Sequence, residues 1–214
     1  MSISLDERRR LRQSRGRVLG LRLGVGLGLL VAACGPKELP TADEPQRAVP
    51  NLAGLSVMVL PAQPGPGGVP VGLDEALAAN LADRSPGVNW VFPAQLERAL
   101  TRAPWMQIRP RSLSVAQLRQ PDVERIYDPL YGDLRRMGAL VDARYAVLPY
   151  AAGYVQSTVP GEQGRVEVAA VIIDTVGGRV LWHGIVAGER GAAGDEVVIG
   201  TAAQAVAAMV APAG

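Results

Sequence analysis

The residue types in this chain restrict the chemistry open to it. Its 214 residues include one cysteine, Cys34, one histidine, His183, and one lysine, Lys37. An enzyme needs a nucleophile, a proton carrier or a metal. Zinc would have to be held by His183 and carboxylates alone, an uncommon ligand set. No Gly-x-Ser-x-Gly elbow and no calcium-type aspartate spacing occurs. Hydrolysis of a glycoside would need two carboxyl groups held close together. Asp128, Asp133, Asp142 and Glu167 are scattered over caps, helix faces, turns and a strand, and the sequence brings no two of them together. Gly24, Gly26 and Gly28 imitate part of a dinucleotide loop but follow no strand. These observations predict no catalytic residue, no metal and no cofactor. A paired-carboxylate enzyme acting on carbohydrate or peptidoglycan is kept as a rival reading. His183 alternates with Leu181 and Ile185, which suits a hydrogen-bonded strand histidine better than a lone acid–base group or pH sensor.

The cysteine stands at the end of a leader. Arg8, Arg9, Arg10, Arg12, Arg15, Arg17 and Arg22 precede an uncharged run of 11 residues, Leu23 to Ala33. That run suits a secretion signal and is well short of the ~20 residues a spanning helix needs. Val31-Ala32-Ala33-Cys34 resembles the lipobox of bacterial lipoproteins. The resemblance implies cleavage between Ala33 and Cys34 and acylation of the Cys34 thiol, so that several acyl chains anchor the protein to a membrane. Gly35, where an aspartate commonly marks inner-membrane retention in that group, implies the periplasmic face of the outer membrane. The expected organisation is a signal peptide over 1–33, the acylated cysteine and a tether over 34–53, and one periplasmic domain over 54–214. Pro36, Pro40, Pro45 and Pro50 give the tether a semi-extended composition. At ~3.1 Å per residue its 19 residues after Cys34 reach about 60 Å.

Charge excludes one large class of partner. The whole chain has 22 basic and 20 acidic residues, but seven arginines fall in the leader. Residues 34–214 keep 15 basic and 18 acidic groups, a net −3, which disfavours nucleic acid. A single cysteine also excludes a disulfide framework within the chain.

The elements follow from periodicity. The unbroken apolar run Leu55–Leu60 predicts a strand covered on both faces. Pro61 to Pro70 reads as a mobile loop. Leu73, Ala76, Leu77 and Leu81 predict a helix, and Trp90 and Phe92 a short extended piece. A second helix starts at Pro93, with Leu96, Ala99, Leu100 and Ala103 inward and a stop at Pro104. Trp90 and Trp105 flank this helix and are expected in the core. Met106–Arg109 is expected as a further strand, with a short helix around Val115–Arg119. Asp128 as cap and Pro129 at the first position open a helix with the stripe Leu130, Leu134, Met137, Val141. Tyr145–Tyr150, Arg165–Asp174 and Arg179–Ala187 read as strands, the last two joined through Val176-Gly177-Gly178. Thr201 is expected to cap a last helix bearing Ala202, Ala205, Val206, Met209 and Val210. The fold class is α/β (α+β): a mixed sheet ending in an antiparallel meander, with helices packed on it.

Ser56–Pro61, Ala143–Leu148, Val166–Thr175 and Gly177–Trp182 carry a second resemblance. They are similar to the domain shared by the TolB amino-terminal region, the curli secretion-channel lipoprotein, the lipoprotein activator of a peptidoglycan synthase and the Pel export lipoprotein. The likeness covers about half of the mature chain, leaves 84–127 unmatched, and rests on structural motifs. It implies a non-catalytic scaffold or accessory lipoprotein of the envelope with an unidentified protein partner, or a homo-oligomeric export ring. The loop from Gly153 to Gly164 is too short for a pore-forming insertion. All five tyrosines lie in 127–154, including Tyr145. Tyr127, Tyr131, Tyr150 and Tyr154, with Arg135 and Arg136, are the candidate partner surface, because a tyrosine gives contact area and keeps a wet hydroxyl.

Overall fold

A computed structural model describes residues 48–120 and 122–211. The leader, the Ala33–Cys34 junction and the tether up to residue 47 lie outside the described residues. Five strands form one mixed sheet in the order β2-β1-β3-β4-β5. β1 (Ser56–Val59) pairs in parallel with β2 (Asn89–Val91) and with β3 (Tyr145–Val155). β3, β4 (Arg165–Asp174) and β5 (Arg179–Arg190) form the expected antiparallel meander.

The helices cover both faces. Val57 and Val59 face α1 (Leu73–Arg84) and α4 (Glu196–Val210), where Leu77, Leu81, Ala202 and Val206 complete one core. Met58 and Leu60 face the opposite way, into a second core with Leu96 of α2 (Pro93–Thr101) and with Leu130, Leu134 and Met137 of α3 (Leu130–Val141). Two covered faces explain why β1 shows no polar alternation. The three inward leucines of α1 are at most 2% exposed, and each contributes about 2 kcal/mol through burial.

Several expectations change. The 61–70 segment is not free. Its backbone prolongs β1 along β3, with Gln63 N–H donating to Pro149 O (2.8 Å), Ala152 N–H to Gln63 O (2.9 Å) and Gly65 N–H to Ala152 O (2.8 Å). Gln63 is 1% exposed. Its Nε2 donates to Pro61 O and Pro110 O, each at 2.8 Å, and its Oε1 accepts from Leu113 N–H at 2.9 Å. A buried amide thus ties this loop to the chain beyond α2. Gly153 is required beneath the loop, because a Cβ there would overlap the Pro66 carbonyl.

Met106–Arg109 is not a strand. Pro104–Met106 forms a 3₁₀ turn, and Gln107 at φ 51° ends it in a left-handed conformation that breaks any extended run. Trp105 on that turn is 74% exposed, so of the two tryptophans flanking α2 Trp90 alone joins the core. Thr201 lies inside α4 and does not cap it. Asp195 does, accepting from Val197 N–H at 2.9 Å, while Thr201 Oγ1 accepts from Glu189 N–H at the end of β5. Pro129 is the N-cap of α3 and not its first residue, so the helix begins one residue later than predicted; Asp128, one position before the cap, still satisfies a first-turn donor, its Oδ1 accepting from Gly132 N–H at 2.9 Å.

Candidate interaction groove

The outer side of β5 carries no further strand among the described residues. Its two ends are engaged: near its C-terminal end Glu189 N–H donates to Thr201 Oγ1 (2.9 Å), and its first residues are covered by the 124–126 segment. Val180 N–H donates to Glu124 O (2.9 Å), Ile126 N–H donates to Gly178 O (2.8 Å), and Arg125 forms an antiparallel bridge with Arg179. The segment then turns away. Gln117, on the 3₁₀ turn Ala116–Arg119, brackets the Tyr127 backbone, donating from Nε2 to Tyr127 O (3.0 Å) and accepting from Tyr127 N–H (2.8 Å). A groove of about 640 Å³ opens there. Its walls include Gln117, Gln120, Tyr127, Arg125, Arg179 and Leu181, with Asp122 and Glu124 balancing the two guanidinium groups. A concave, charge-balanced site rich in amide and phenol groups can take up a polypeptide backbone.

Tyr150 and His183 pair across the sheet, from β3 to β5. The phenol oxygen is 2.5 Å from His183 Nε2, and the two rings lie 5.4 Å apart at 28°. Tyr150 is only 4% exposed. Burial pushes its hydroxyl up to about 12, with the Arg119 charge opposing. The phenol therefore keeps its proton at neutral pH, and it shares one hydrogen bond with His183 Nε2. This geometry bears out the strand-histidine reading, with His183 half-buried and hydrogen-bonded.

The predicted partner residues do not form one surface. Tyr127 is 68% exposed in the groove. Tyr131 lies nearby, half-buried, donating its hydroxyl to Val176 O at 2.8 Å. Tyr150 is a core residue committed to His183, because its ring lies between sheet and helix layer. Tyr154 is half-buried at the far end of β3, donating to Gly191 O at 2.7 Å and accepting from Gly164 N–H at 3.0 Å. Arg135 and Arg136 are exposed on α3, and Arg136 pairs with Asp133 at 2.6 Å. Two other scattered carboxylates are also engaged, Glu167 with Arg165 at 2.8 Å and Asp128 with Gly132 N–H, while Asp142 ends α3 in a left-handed backbone conformation. Among the described residues no cluster of three or more His, Cys, Asp or Glu side chains could hold a metal ion. No described helix is long and apolar enough to cross a membrane.

Sequence reasoning did not find Gln117 and Gln120, which lie in the unmatched 84–127 stretch. The available signal was the aperiodic set of buried residues Leu113, Val115, Leu118 and Ile126, which folds this stretch onto the second core.

The fold is a mixed α/β sandwich of one sheet between two helical layers. No protein-family model matches the chain, and no curated protein matches it in sequence. Solved structures do. The LpoB C-terminal domain from Salmonella enterica is 15% identical, covering 67% of this chain and 88% of that one, with a TM-score of 0.44. Lipoprotein GNA1162 from Neisseria meningitidis is 16% identical, over 66% and 84%, with a TM-score of 0.38. The PelC dodecamer from Paraburkholderia phytofirmans is 18% identical, over 78% and 96%, with a TM-score of 0.41. Lipoprotein and Pel domains of the kind the strand motifs resemble are thus among the structural neighbours.

Proposed function

We propose that this chain is a non-catalytic envelope lipoprotein, anchored through acylated Cys34 to the periplasmic face of the outer membrane. It acts as an accessory subunit that docks an extended segment of an envelope protein beside β5. The position of β5 as the last described strand of the sheet, next to a groove lined by Gln117, Gln120 and Tyr127, carries the reading. Backbone pairing would supply affinity and the groove side chains selectivity. The lipobox and the proline-rich tether support the location. A buried Tyr150 phenol paired with His183 and carboxylates engaged by arginines support an accessory role over catalysis.

The test places a photoreactive amino acid at position 127, or at 135 on α3, in intact cells. The reading expects one discrete adduct from 127 and none from 135. Adducts from 135 alone would refute the groove. An adduct of twice the chain mass would make the partner a second copy and favour the oligomeric reading. Radiolabelled palmitate tests the anchor: incorporation should vanish in Cys34→Ser, and labelling that persists would refute acylation at that thiol.

A further inference from the structure

Between Arg98 and Gln120 the chain carries five arginines, Arg98, Arg102, Arg109, Arg111 and Arg119, and no carboxylate. All five are exposed. Arg111 is neutralised by Asp74 and Glu97, each at 2.9 Å. Arg98, Arg102 and Arg109 have no carboxylate partner among the described residues. Arg98 and Arg102 sit one turn apart at the end of α2. Their Nε atoms donate to Ala94 O (3.1 Å) and Arg98 O (3.3 Å), which steadies the guanidinium groups and leaves their outer ends to solvent.

Trp105 follows three residues later. The 3₁₀ turn that presents it is closed by Met106 N–H donating to Ala103 O at 3.1 Å. Beside it a shallow groove of about 310 Å³ has Leu100, Pro104, Ile108 and the Arg111-bound Glu97 in its walls. An indole left 74% exposed in a stretch whose Arg98, Arg102 and Arg109 lack carboxylate partners matches a bilayer interface, where the ring sits at headgroup level and the cations meet lipid phosphates.

We infer that Trp105, Arg98, Arg102 and Arg109 form a second, peripheral contact with an anionic phospholipid surface. Charge complementarity favours this occupant, and so does the chain outside the described residues. Residues 34–47 allow a reach of about 43 Å at ~3.1 Å per residue, so an anchored domain would meet the bilayer at high effective concentration. That proximity rests on the anchor proposed above; the charge and the indole do not.

The test uses the full chain on vesicles with brominated acyl chains, either 30% phosphatidylglycerol or wholly phosphatidylcholine. Flotation reports attachment by any route, and quenching of tryptophan emission reports contact of the ring with lipid. Trp90 and Trp182 are buried and give the unquenched background. The inference expects quenching on anionic vesicles that disappears in Trp105→Phe. Each of R98Q, R102Q and R109Q should weaken the contact about fivefold, and high salt should act the same way. Flotation without quenching above the Trp105→Phe level overturns the patch and leaves the anchor intact. Equal quenching on both vesicle types, unmoved by the arginine variants, overturns anionic recognition. Quenching on anionic vesicles by Cys34→Ser, which carries no acyl group, upholds the patch independently of the anchor.

Discussion

Alkaline pH should destabilise this fold through one phenol, and removing that phenol should reverse the effect. Tyr150 ionises near 10 when unfolded and is pushed up to about 12 by burial in the native state. Below pH 10 both states hold the proton and its stabilisation is complete. Between 10 and 12 the unfolded chain releases it first, so stability falls by about 1.4 kcal/mol per pH unit, or about 2 kcal/mol by pH 11.5. Tyr150→Phe removes the hydrogen bond to His183 and should cost about 1 kcal/mol at pH 8. The variant escapes the alkaline loss, so the order should invert by pH 11.5, with the variant about 1 kcal/mol the more stable. Urea unfolding at the two pH values measures both margins. Absorbance at 295 nm provides an independent reading, with the late titration of the Tyr150 phenol present in the wild type and lost in the variant. A variant that remains less stable by the same margin at both pH values would refute the reasoning.

Two further outcomes concern the loop over β3. Gly153→Ala places a Cβ against the Pro66 carbonyl, and backbone cannot yield cheaply, so thermal unfolding should show a loss of about 3 kcal/mol; a loss under about 1 kcal/mol would mean that the loop lifts away freely. Gln63→Leu keeps the volume but strands Leu113 N–H and Pro110 O, and should cost about 3 kcal/mol in urea unfolding, with the 61–70 and 110–113 amides losing hydrogen-exchange protection together.

Local signals specified much of this fold. β4 was legible to the residue because a long β-branched run ends at the Asp174–Gly178 turn, and α3 because its stripe and its Asp128 first-turn acceptor agree. The ends of β3 and β5 were not. Pro149 and Gly153 oppose a strand by propensity, and pairing with β4 carries β3 through both to Val155. Glu196 to Ile199 has a strand-like composition and becomes the first turn of α4 because Asp195 caps it. The groove was the least legible part. One of its walls is set by a side-chain amide, Gln117, that takes the place of a backbone partner for Tyr127, and such bonds leave no periodic trace. Trp105 was misplaced because composition ranks tryptophan as interior, whereas a left-handed Gln107 turns the chain back before the ring can be covered.

The two margins of the sheet are unequal. β2 spans three residues and β5 twelve, so a neighbour can add to one margin and gain almost nothing at the other. Growth through such a sheet terminates after a single addition, whether the newcomer is a foreign strand or a second copy related by a two-fold axis. A closed ring of many copies would have to be held by surfaces other than strand margins, and the protein is spared the runaway stacking that a sheet with two long open sides invites.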